Sequence, residues 1–180
     1  MKENYILAST ITIVIIVGLV IPQLIPSENL IRNGGFEADL EGWAVRGEQL
    51  VSIVDGYSGK GCKFSGGGSI DQPGVEVPSG MIYFSYKYQI ISGDWRIGFW
   101  ADAGDKIGYF IRGSPDEPAY SFNPNEITTV TKKRLGDWVY VVGKFYLYSP
   151  RPMHIQVRSG QSGGNEVILF DDLYLGTVKP

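Results

Sequence analysis

Residues 82–90 read Ile-Tyr-Phe-Ser-Tyr-Lys-Tyr-Gln-Ile, and that alternation constrains the chain more than any other feature. Successive side chains of a β-strand point to opposite faces, so a period of two sets Ile82, Phe84, Tyr86, Tyr88 and Ile90 on one face and Tyr83, Ser85, Lys87 and Gln89 on the other. A helix would scatter these residues around its circumference. The first set is therefore core, and the chain needs a partner layer to cover it.

The same signal recurs. Residues 95–101, 106–111, 127–131, 138–149, 153–158 and 167–175 are rich in β-branched and aromatic residues, and 30–36, 49–54, 62–65 and 74–77 are earlier candidates. Turn chemistry separates them, as in Ser92-Gly93-Asp94, Gly136-Asp137 and Ser159-Gly160. Residues 28–180 show no helical periodicity beyond about two turns. About ten short strands in this length predict an all-β, two-sheet antiparallel sandwich, either jelly roll or immunoglobulin-like. Alternation turns Trp95, Ile97 and Phe99 inward and Arg96 and Trp100 outward. It sets Val139, Val141, Phe145 and Leu147 against Trp138, Tyr140, Lys144, Tyr146 and Tyr148, and Met153, Ile155 and Val157 against His154, Gln156 and Arg158.

The front of the chain differs. No charged side chain occurs from Asn4 to Ser27, and residues 5–25 are mostly Ile, Val and Leu. As a helix at about 1.5 Å per residue this run spans roughly 31 Å, a bilayer's hydrocarbon thickness. Residues 1–27 are expected to be an N-terminal transmembrane helix and signal anchor, and residues 28–180 the functional domain. Lys2 favours a cytoplasmic N-terminus, which leaves the domain outside the cytoplasm. The rival is a secreted protein released by signal cleavage. The Pro22-Gln23-Leu24-Ile25-Pro26-Ser27 stretch fits the small-x-small cleavage rule poorly.

Charge and rare residues exclude several functions. Sixteen Lys and Arg against 19 Asp and Glu, with no basic run, offer no stripe that tracks phosphates, so nucleic acid is not an expected partner. A single cysteine, Cys62, rules out an intramolecular disulfide, and a single histidine, His154, rules out a His-rich metal centre. Ser65-Gly66-Gly67-Gly68-Ser69 lacks the Lys-Ser/Thr ending of a phosphate-cradling loop. Glu37-Ala38-Asp39-Leu40-Glu41 has the carboxylate spacing of a retaining glycosidase strand, where alternate residues share a face. The flanking Gly-Gly and Gly-Trp oppose that reading, and the protein is not expected to be an enzyme; a glycoside hydrolase ranks third among its functions.

Asn29-Leu30-Ile31-Arg32-Asn33-Gly34-Gly35-Phe36-Glu37 followed by Gly42-Trp43, then Gly56-Tyr57-Ser58-Gly59-Lys60-Gly61-Cys62, Gly136-Asp137-Trp138 and the closing Phe170-Asp171-Asp172-Leu173-Tyr174-Leu175, resemble the CenC-like carbohydrate-binding modules across residues 29–176. The resemblance implies a galactose-binding-like jelly roll that binds a polysaccharide or other glycan without catalysis. Asp171 shares its strand face with Leu173 and Leu175, so it points inward and needs a partner. The resemblance implies that this partner is a structural calcium ion, held by Glu37, Asp171 or its neighbour Asp172, and main-chain oxygens around Ser58 and Lys60.

Sugars lay C–H groups on aromatic faces and offer hydroxyls to polar side chains, so a binding face needs rings among hydrogen-bonding tips. The outward set Tyr83, Lys87, Gln89, Arg96, Trp100, Tyr140, His154, Gln156 and Arg158 has that mixture, with Trp100 and Tyr140 as stacking platforms. The alternative function is a structural or adhesive surface protein that self-associates, as a jelly-roll packing unit or filament subunit.

Overall fold

The computed structural model describes residues 28–101, 108–113, 120–121, 127–160 and 164–180. The expected membrane helix lies outside them, and among the described residues no helix is long and apolar enough to cross a membrane. The described chain forms twelve strands: β1 (Ala44–Arg46), β2 (Val51–Asp55), β3 (Lys60–Ser65), β4 (Ser69–Val77), β5 (Gly80–Ser92), β6 (Trp95–Ala101), β7 (Gly108–Gly113), β8 (Tyr120–Ser121), β9 (Ile127–Leu135), β10 (Trp138–Leu147), β11 (Arg151–Ser159) and β12 (Val167–Gly176). They make two six-stranded sheets, a front sheet in the order β1-β4-β11-β6-β7-β8 and a back sheet in the order β2-β3-β12-β5-β10-β9. Every pairing is antiparallel, as in a jelly-roll sandwich.

Alternation assigns the core as expected among the described side chains, which do not include that of Phe99. Ile82, Phe84, Tyr86 and Tyr88 of β5 are buried, with Trp95 and Ile97 of β6, Val141, Phe145 and Leu147 of β10, and Met153, Ile155 and Val157 of β11. The rings of the two sheets meet edge to face: Trp95 lies 5.4 Å from Tyr86 at 79° and 5.7 Å from Phe170 at 89°. Gly143 of β10 stands opposite Phe84, and a Cβ there would fall 2.1 Å from the Phe84 ring. Glycine makes room for that ring.

Several boundaries differ from expectation. Residues 30–36 are not a strand but a series of bends and turns, with Asn33 at φ 50° and Phe36 at φ 57°. Asn33 organises them: its Oδ1 accepts the Ala38 N–H, and its Nδ2 donates to the carbonyls of Asp39 and Glu41. Such side-chain bonds compete with a ladder. Glu48–Leu50 form a 3-10 turn ahead of β2, β4 begins five residues earlier than expected, and β1 and β8 are additional. The 29–34 segment still docks on the end of β12. Leu30 N–H donates to Leu175 O, Asn29 Nδ2 to Leu173 O, Leu175 N–H to Asn29 Oδ1 and Leu173 N–H to Gly34 O. A Cβ on Gly34 would lie 2.1 Å from the Leu173 oxygen, so the close approach requires glycine.

Candidate functional site

The nine outward residues expected on one face stand on two. Arg96 and Trp100 of β6 and His154, Gln156 and Arg158 of β11 belong to the front sheet, whereas Tyr83, Lys87 and Gln89 of β5 and Tyr140 of β10 belong to the back sheet. The outer faces of a sandwich look away from each other. Alternation decides in from out; sheet membership is decided by crossovers between strands.

The front face is organised by a residue outside the expected set. Asp71 of β4 is opposite Ala44 on one side and Gln156 on the other, and only 2% of it is exposed although it sits on the outward face. Gln156 Nε2 donates to its Oδ1 at 2.6 Å, His154 Nε2 lies 3.2 Å from the same oxygen, and Arg46 Nε pairs with Oδ2 at 2.8 Å. One buried carboxylate thus holds an amide, an imidazole and a guanidinium. Trp100 occupies the register position opposite His154, and Gly98, opposite Gln156, has no side chain. Ser69 and Asp71 do alternate with buried Ile70, a signal in the sequence that Pro73 and the irregularity in the β4–β11 pairing interrupt.

On the back face Lys87 and Tyr140 are register partners. Lys87 Nζ lies 3.9 Å from the Tyr57 ring centroid and 5.9 Å from that of Tyr140, and it pairs with Asp172. Tyr57 in turn meets Trp138 edge-on at 6.0 Å. This cluster fastens the loop of residues 56–59 to the sheet. Tyr83 lines a separate hollow of about 340 Å³ with Thr131, Lys144 and Lys179, and Gln89 stands opposite Leu169.

The five residues expected at a metal lie about the 56–60 loop and its seat on β12. Asp171 is fully buried, and its carboxylate accepts the N–H groups of Tyr57 at 2.8 Å, Ser58 at 3.0 Å and Asp172 at 2.7 Å. Burial pushes its pKa up, the Ser58 amide and the charge of Asp172 act in opposite directions upon that, and the Asp172 and Tyr57 amides lower it. Glu37 Oε1 accepts the Lys60 N–H at 3.0 Å, Ser58 Oγ donates to Asp172, and Lys60 Nζ pairs with Asp39 at 2.6 Å. Gly59, at φ 73°, is required: a Cβ would fall 2.2 Å from Glu37 Oε1. Among the described residues no three His, Cys, Asp or Glu side chains are grouped to hold a metal.

The Glu37-Asp39-Glu41 trio lies in turns, with Asp39 at φ 55°, so its carboxylates lack the shared strand face that glycosidase chemistry needs. Cys62 is fully buried, and burial pushes its thiol pKa up, which leaves it packing as a small apolar group.

No protein-family model matches the chain, and no curated protein matches it by sequence. Solved structures do match its fold. The carbohydrate-binding module TmCBM61, solved with β-1,4-galactotriose, superposes with a TM-score of 0.58 at 16% identity, covering 86% of this chain and 100% of that one. The CBM22-1 xylan-binding domain of Paenibacillus barcinonensis Xyn10C gives 0.53 at 14% identity, with 86% and 97% covered. The arabinose-bound MgGH51 α-L-arabinofuranosidase gives 0.52 at 13% identity over 82% of this chain and only 26% of the enzyme. The jelly-roll sandwich of these structures is the fold of the described residues.

Proposed function

We propose that residues 28–180 form a non-catalytic glycan-binding module, held at a membrane by residues 5–25 with the domain outside the cytoplasm, and that the ligand lies across the front face. The observation that carries this reading is Asp71, buried on an outward face where it orients Arg46, His154 and Gln156. Polar groups fixed before a ligand arrives spare it the ordering cost of binding. Two modules of the same fold add support, since one is solved with a galactotriose and the other is a xylan-binding domain. Carbohydrate arrays with the domain, beside sedimentation of the full chain, test ligand and self-association together. Trp100→Ala is expected to weaken a bound glycan by about 1–3 kcal/mol, by analogy with bases stacked on aromatic side chains. Tyr140→Ala, on the opposite face, should leave affinity unchanged by titration calorimetry. The reverse pattern would move the site to the back sheet.

The calcium expected at the Glu37–Asp171 junction is part of the same proposal. The oxygen donors there are of the kind calcium accepts, and Oε2 of Glu37 makes no hydrogen bond among the described residues. Glu37, Asp171, Asp172 and the main chain around Ser58 and Lys60 would hold it, where it would tie the loop to the closing strand. A ligand bound only by the folded state raises stability by mass action, so the melting temperature is expected to be higher in millimolar calcium than in EDTA, and Glu37→Ala to remove the difference. Identical curves would mean that the amides and lysines suffice.

A further inference from the structure

We propose that the front face selects a glycan bearing anionic groups; this rests on the glycan-binding reading above and names its ligand class. Four arginines fall in one cross-strand row. Arg46 faces Ser69, Ser69 faces Arg158, Arg158 faces Arg96 and Arg96 faces Arg112, across β1, β4, β11, β6 and β7. Directly opposed residues of neighbouring strands stand about 4.5–5.5 Å apart at Cα, and like charges so placed destabilise a sheet. Arg158 and Arg96, on adjacent strands at one register position, therefore weaken the sheet unless an anion joins them.

Among the described residues no acid pairs with Arg158 or Arg96. Asp71 is taken by Arg46. Arg158 donates to main-chain oxygens, through Nη2 to Gly160 O at 3.1 Å and through Nε to Ser159 O at 3.4 Å, and has no carboxylate partner. Arg96 makes no ion pair or hydrogen bond, and its Nε is buried without an acceptor. Asp94 and Glu166 lie against Gly160 at the edge of the row, but neither comes within ion-pair distance of Arg158 or Arg96. Glu76 is also outward on β4, about 20 Å along the strand from Ser69.

Two neighbouring guanidiniums without acidic partners among the described residues match the planar oxygens of a carboxylate or sulfate. Next to them, Asp71, Gln156 and His154 supply the polar edge suited to sugar hydroxyls. The ligand is thus a saccharide whose acidic substituent lies over Arg158 and Arg96 while its ring lies beside Gln156.

The test is calorimetry of the full chain, in mild detergent, against neutral, uronate-containing and sulfated oligosaccharides of equal length. At least one acidic set is expected to bind tenfold or more tightly than the neutral one, to weaken as salt is raised, and to lose tenfold or more in both Arg96→Gln and Arg158→Gln, with circular dichroism unchanged. The uronate and sulfate arms identify the anion. Equal binding of neutral and acidic sets, unaffected by either variant, overturns the acidic ligand and leaves a glycan module standing. Binding of none of the three sets overturns both readings.

Discussion

Trp95→Ala should cost about 3–5 kcal/mol of stability, the usual range for truncating a fully buried tryptophan. Trp95 belongs to the front sheet, yet its ring is enclosed by Tyr86, Tyr88 and Phe170 of the back sheet, with centroids 5.4, 4.8 and 5.7 Å away. It is therefore a stitch between layers, and the cavity left by alanine would open where the sheets hold each other. For a domain of this size each kcal/mol moves the melting temperature by about 2–4 °C, so a thermal melt should show a fall of roughly 6–20 °C. Trp95→Phe, which keeps a ring in the cluster, should lose less than half as much. Equal losses in the two variants would show that the edge-to-face contacts contribute little.

Asp171→Ala should cost roughly 2–4 kcal/mol at neutral pH, because buried N–H groups left without an acceptor carry a desolvation penalty. Three amides lose their partner at once, those of Tyr57, Ser58 and Asp172, and with them the 56–59 loop loses its anchor on β12. Asp171→Asn keeps one acceptor oxygen and should lose less. The pH dependence has a definite sign. Burial raises the folded-state pKa of Asp171 above its ordinary value of 3.8, so the folded state binds the proton more readily than the unfolded chain. Its contribution is fully present below that ordinary value and is lost as pH rises through the raised one. Denaturant titrations across that window should show wild-type stability declining with pH, and a shallower slope in Asp171→Asn. A wild-type slope of opposite sign, retained in the variant, would assign the titration elsewhere.

Much of the sandwich was legible because burial on one face imposes a period of two on the residues themselves. The stretch 95–101 coincides with β6, and the inward set of 82–90 is the inner face of β5. The inward placement of Asp171 is legible by the same rule, and the nearness of Ser58 to it follows the motif order. What was not legible has physical causes. Alternation is blind to which sheet a strand joins, so residues of β5 and β10 were grouped with those of β6 and β11 although the strand order puts them on opposite faces. Asp71 carries no clear strand signal, because Pro73 and Gly74 break the alternation that would extend the strand of 74–77 back to Ser69. Residues 30–36 carry strand-forming Leu and Ile, but Asn33 and the close approach of Gly34 to Leu173 bend them into turns.

The chain enters the domain at Asn29 and leaves it at Leu175 side by side, joined by the bonds of Asn29, Leu30 and Gly34 to the last strand. A pull applied through both ends would act on that seam as on a zipper, one hydrogen bond at a time, with the other eleven strands bearing little of the load. A pull between the N-terminal end and a molecule gripped on the front face would instead run through the sandwich, from the β12 edge of the seam across the packed layers to β11 and β6. The same domain is thus weak as a link within a stretched chain and strong as a tethered hook.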